Sequence, residues 1–308
     1  MKGKYMRYRI FASSLIMIFA VLVLTMQVGA QDSTMVGWKR SLVTDFTITQ
    51  ASYSDSWSGG EAGSVNWVAN LGGSAEKGLK PWFDFKTTLR LSFGQTLTQD
   101  AETKNWSKPK KSTDLIDWEN VGSFTLHKWV DPYVAFRLES QFLDASNEAK
   151  KLYFTPIKLT ESAGVKKNLY EQDKNFVSTR LGLALRQILR RSAGLSIDAI
   201  LTTFDTTLID GGFESVTDAE FHINDKLSYV GKLSLYKAFY FSEKDNVAGT
   251  SAEDDWKAVD VNWENSINAY LTKIITVKLY TQLLYDKEIS AKGRFKETLG
   301  IGFVFRLI

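Results

Sequence analysis

The chain has 308 residues, 13% of them aromatic with nine Trp, and it contains four Pro and no Cys. Its formal net charge of +3 is the small difference between 38 Lys and Arg and 35 Asp and Glu. The lack of Cys excludes a disulfide framework and thiolate metal sites, and the near-balance of charge makes nucleic acid a poor candidate partner.

In chain order the first feature is an export signal. Lys2, Lys4, Arg7 and Arg9 precede an uncharged apolar run over residues 10–24, and Val28-Gly29-Ala30 supplies the small-residue cleavage pattern. Residues 1–30 are therefore expected to be a cleaved signal peptide and residues 31–308 a single mature domain. An uncleaved anchor helix is the competing reading, because the apolar run is just long enough to span a bilayer. No Cys follows it, so it is not a lipoprotein signal. Removing it takes four basic residues and no acidic one, which leaves 34 Lys and Arg against 35 Asp and Glu.

Beyond residue 30 no stretch approaches about 18 continuous apolar residues, so any membrane crossing must be made by strands. Period-two alternation recurs from Trp38 onward. Leu42, Thr44, Phe46 and Ile48 share one face against Asp45, Thr47 and Thr49. Val65, Trp67, Ala69 and Leu71 follow, and then the clearest run so far. In it Phe83, Phe85, Leu89, Leu91 and Phe93 oppose Asp84, Lys86, Arg90 and Gly94. Charges in one row cannot face a dry core unpaired; a wet or salt-bridged lumen accepts them.

Trp118, Phe124 and Leu126 oppose Asp117 and Glu119, and Val134, Phe136 and Leu138 oppose Arg137 and Glu139. A weaker run over residues 152–165 contains Pro156. Val177, Leu181, Leu183 and Leu185 oppose Arg180, Gly182 and Arg186; Phe221 opposes Glu220 and His222. Residues 229–241 make a long strand, Val261, Trp263 and Ile267 oppose Asp260 and Glu264, and residues 279–285 precede the closing run. There Phe295, Leu299, Ile301, Phe303 and Phe305 oppose Lys296, Gly300, Gly302 and Arg306.

Short connections (residues 127–132, 224–226 and 271–273) alternate with long polar ones (99–114, 144–151, 242–255 and 286–294), as in outer-membrane barrels. Taking residues 189–212 as one long outer loop gives an even count of twelve strands, with fourteen as the fallback. Trp118-Glu119-Asn120 and Trp263-Glu264-Asn265 open two similar hairpins. The soluble rival is a secreted β-sandwich or lipocalin-like barrel. Segments of ten to fourteen residues exceed the usual strand of about five or six and match a tilted bilayer crossing. Trp82, Trp129, Tyr133 and Trp256, near strand ends, read as an interfacial girdle. The expected fold is all-β, a single antiparallel transmembrane β-barrel.

The stretch from Gln50 and Ala51 to Trp57, Gly59 and Gly60, followed by Val65-Asn66-Trp67, resembles the opening of an uncharacterised family of Gram-negative outer-membrane β-barrel proteins, described only as a domain of unknown function. Lys296-Glu297-Thr298-Leu299-Gly300-Ile301-Gly302 is similar to that family's closing strand. The resemblance implies a single barrel with no assigned activity.

Little in the chain suggests catalysis. The histidines are His127 and His222, and neither a G-x-S-x-G elbow nor an H-E-x-x-H zinc motif occurs. His222, beside Asp218 and Glu220, is the one candidate general base, weighed against a lumen hydrogen-bond network. No catalytic residue, metal or cofactor is assigned. The expected lumen row is Lys86, Arg90, Glu119, Arg137, Glu139, Arg180, Arg186, Asp260, Glu264 and Lys278. Two readings compete for it: charges that tune a narrow water-filled pore, or charges that pair and seal a rigid barrel. Lys104, Lys108, Lys110 and Lys111 around Trp106 would attract lipopolysaccharide phosphates, and Glu243, Asp245, Glu253, Asp254 and Asp255 could hold a divalent cation. Solvated loops are the competing reading for both groups.

The chain thus reads as a protein of the cell outer membrane, a small pore or passive transporter for small solutes. The alternative is a structural or adhesive scaffold whose long outer loops bind a surface partner; an outer-membrane hydrolase using His222 is remote. The expected partners are outer-membrane lipid, lipopolysaccharide and the barrel-assembly machinery.

Overall fold

The computed structural model describes residues 37–53, 62–126, 129–147, 149–195 and 201–307. The signal segment, His127 and the Trp57, Gly59 and Gly60 motif lie outside them. The strands in chain order are β1(Lys39–Ala51), β2(Ser64–Lys80), β3(Phe83–Thr98), β4(Lys110–Phe124), β5(Asp131–Ser140), β6(Leu143–Asp144), β7(Leu152–Tyr153), β8(Ile157–Gln172), β9(Asn175–Leu195), β10(Leu201–Asn224), β11(Leu227–Phe241), β12(Val259–Tyr270), β13(Ile275–Asp286) and β14(Ser290–Arg306). All but β6 and β7 form one closed antiparallel barrel of twelve strands; β6 and β7 are a separate two-residue pairing. Closure is made by β1 against β14, from Val43↔Arg306 to Ile48↔Ile301.

The start of β1, the end of β14 and the tight turns at residues 81–82, 173–174 and 225–226 share one rim, called the chain-terminal rim. The long connections at residues 99–109, 141–156 and 242–258 share the other, called the outer rim below. Two connections differ from the sequence reading. Residues 189–195 and 201–212 are strand rather than loop, because β9 and β10 stay paired up to Leu195↔Leu201. Arg191 and Asp205 hold that extension by an exposed ion pair at 2.8 Å, and charge on a fully wet hairpin erases the alternation that marks a strand. The β13–β14 connection is only residues 287–289, since Ser290 already pairs with Asp286. The weak run at residues 152–165, expected to begin as loop, joins the barrel as strand from Ile157 to Gln172.

The two faces of each strand divide by chemistry. On β14 the side chains of Phe295, Leu299, Ile301, Phe303 and Phe305 are exposed, as are Leu181, Leu183 and Leu185 on β9. Asp117, Arg137, Arg180, Arg186, Asp210 and Glu264 are buried. This inverts a water-soluble fold, where charged groups are almost never buried and extensive apolar patches are not left in contact with water. Of the expected girdle, Trp82 and Trp129 are exposed near the chain-terminal rim, with Lys167 Nζ 4.1 Å from the Trp129 ring centroid. Tyr133 and Trp256 do not belong to it. Tyr133 is 2% exposed and packs inside, below Arg180. Trp256 packs on inward side chains of the outer mouth. In both cases proximity to a strand end did not say which face the ring takes.

Candidate functional site

The interior charges come from strands all round the barrel, and β-alternation aims them inward at every second position. Arg90 on β3 donates from Nη2 and Nε to Asp117 Oδ2 on neighbouring β4, at 2.6 and 2.9 Å. Its Nη1 donates to Glu264 Oε2 on β12 at 3.0 Å. Strands β3 and β12 are five positions apart in the ring of twelve, so this contact crosses the lumen. Asp117 also accepts from Arg137 Nε at 2.8 Å. Arg137 pairs with Glu139 at 3.2 Å, and Glu139 with Lys158 on β8 at 3.2 Å. Tyr280 on β13 donates to the other end of the chain, Glu264, at 3.2 Å. A continuous polar wire therefore runs from β8 to β13.

A second crossing is centred on Glu119. It accepts from Arg180 Nη2 on β9 at 2.6 Å and from Lys232 Nζ on β11 at 3.0 Å. Strands β4 and β11 are again five positions apart. Asp218 approaches both cations, at 3.8 and 3.9 Å. Nearer the outer rim Arg186 donates to Asp210 and Asp260, each at 2.7 Å, and lies 3.5 Å from the centroid of the Tyr236 ring. Lys278 meets Asp45 at 3.4 Å.

Of the ten residues expected to line the lumen, Arg90, Glu119, Arg137, Glu139, Arg180, Arg186, Asp260, Glu264 and Lys278 stand in these ion pairs. Lys86 lies instead over the Phe176 ring at 5.8 Å. Their partners Asp117, Lys158, Lys232 and Asp210 were not among the candidates. Asp117 and Lys232 carried the same alternation signal as their neighbours. Asp210 was hidden in the segment read as loop. The repeated Trp-Glu-Asn triplet has a physical sense here: Trp118 and Trp263 face out, exposed, while Glu119 and Glu264 each anchor one crossing.

His222 sits at the chain-terminal end of β10, half-exposed, with Glu220 Oε1 3.8 Å from its Nε2. Asn175 Oδ1 accepts from its backbone N–H at 2.7 Å. At the outer end, Lys111 pairs with Asp114 at 3.3 Å, and Asp114 accepts the backbone N–H groups of Phe142 and Leu143, at 2.7 and 2.9 Å. This fastens the β5–β8 connection over the rim. Lys257 pairs with Asp254 and Lys287 with Asp255, so the acidic loop is partly neutralised by lysines. No group of three or more metal-ligating side chains occurs among the described residues.

Residues 48–145 match a family described as "Protein of unknown function (DUF3078)". No curated protein matches the chain. Among solved structures, the chain is similar to an outer membrane channel from Pseudomonas putida F1 at 13% identity and a TM-score of 0.41, covering 90% of this chain and 98% of that one. It is similar to the translocator domain of the autotransporter NalP from Neisseria meningitidis at 8% identity and a TM-score of 0.37, covering 96% and 97%. It is also similar to OprB from Pseudomonas putida at 9% identity and a TM-score of 0.33, covering 90% and 96%.

Proposed function

We propose that this chain is an outer-membrane β-barrel forming a narrow passage for small hydrophilic solutes, held shut at mid-height by ion bridges. The membrane part rests on the exposed apolar rows of β9 and β14 around a charged interior, the arrangement a lipid solvent selects. Its lipid partners are then outer-membrane lipid and lipopolysaccharide, and its insertion falls to the barrel-assembly machinery. Twelve strands lie between eight-stranded barrels, filled by side chains, and sixteen-stranded porins with aqueous channels. One observation carries the closed state: Arg90 and Glu264 meet at 3.0 Å from nearly opposite walls.

Planar-bilayer recording tests the passage. Refolded wild-type protein is expected to show few and small current steps, and R90A/E264A larger and longer ones. Steady porin-sized steps from the wild type would refute the closure. Silence from both proteins would leave a scaffold, the reading favoured by the fastening of the β5–β8 connection through Asp114. Membrane integration has its own check: unboiled protein should migrate faster than boiled protein on a detergent gel. Recovery of a soluble monomer without detergent would remove the bilayer from the account.

A further inference from the structure

The β11–β12 connection, residues 242–258, does not stand away from the barrel. It contains a four-residue helix (Lys244–Val247) and a 3-10 turn (Asp255–Lys257). From that turn Trp256 packs against Ala184, Tyr236 and Ala238, all inward-facing and buried. Its ring stacks on Phe241, centroids 6.0 Å apart, and Phe241 is itself 5% exposed. The indole is thus seated inside the outer mouth at the level of the Arg186 ion pairs: Phe241 shares a register row with Arg186 and Asp210, and Ala184 and Ala238 lie one inward-facing row deeper. The turn that carries it is tied to the neighbouring β13–β14 turn by Lys287 and Asp255, at 3.0 Å.

We propose that residues 242–258 are a lid over the outer mouth, seated by Trp256 and latched by the Lys287–Asp255 pair. The lid gates the passage proposed above, and as a gate it rests on that reading; its seating does not.

The chain has no Cys, so one introduced thiol reports on one place. A238C, beneath the lid, would be labelled by a maleimide in the folded barrel in detergent. Its rate would be divided by that of S251C on the exposed loop. The ratio is expected to be well below one, to rise on the order of tenfold when W256A removes the stacked ring, and to rise less when K287A cuts the tie to the neighbouring turn. A184C repeats the measurement if A238C does not refold. A ratio near one in the wild-type background, or one left unchanged by W256A, would overturn the lid. Labelling as expected with bilayers silent throughout would keep the lid and remove the passage.

Discussion

Asp117→Ala is expected to destabilise the barrel by about 3–5 kcal/mol, the range for removing one partner of a buried ion pair. Asp117 is 2% exposed and holds Arg90 and Arg137 together through three short hydrogen bonds. Without it the two guanidinium groups face each other inside the barrel, each left with one carboxylate, Glu264 and Glu139 respectively. Asp117→Asn keeps the shape and one acceptor oxygen, so a smaller loss is expected. The measurement is the urea midpoint of the heat-modifiable folded band. An Asp117→Ala barrel within about 0.5 kcal/mol of wild type, the scale of an ordinary surface change, would mean that water already solvates these groups. The mid-height closure would fall with that result.

The second large effect is steric. Gly164 on β8 and Gly182 on β9 are direct register partners. A Cβ on Gly164 would lie 2.1 Å from the Leu181 carbonyl oxygen and 2.5 Å from the Gly182 Cα, both backbone atoms. A Cβ on Gly182 would lie 2.6 Å from the Tyr133 hydroxyl oxygen, so that ring occupies space the glycine leaves open. Backbone held on both sides by ladder hydrogen bonds cannot step aside. Gly164→Ala is therefore expected to cost about 3 kcal/mol, the upper end of overpacking, and to lower the refolding yield. Gly72→Ala is the control, since the nearest heavy atom to its Cβ is 3.9 Å away, and it should refold as wild type. Equal refolding of the two variants would show that β8 and β9 are not in such close contact.

Much of the fold was legible because alternation is a local property. Leu299, Ile301 and Phe303 fall on one face and Gly300 and Gly302 on the other through strand geometry alone, whatever surrounds them. The same rule put Arg90, Glu119 and Glu264 on inward positions of three different strands. It failed where solvent is uniform. Along residues 189–192 and 203–207, which include Arg190, Arg191 and Asp205, side chains of both parities are exposed, so no period survives. It also failed for rings near strand ends. Trp129 is 78% exposed and Tyr133 2% exposed, although they are only four positions apart.

The amino-acid order by itself determined an even, antiparallel set of strands with one oily and one charged face, because a strand's two sides are set by parity in the chain. Which charge meets which was decided only by closure of the ring. Arg90 and Glu264 are 174 residues apart and meet because β1 zips to β14 and brings β3 opposite β12. Closure likewise decided that Trp256 turns into the mouth. An ion bridge or a seated ring depends on the distance between walls, and that distance exists only once the barrel has closed.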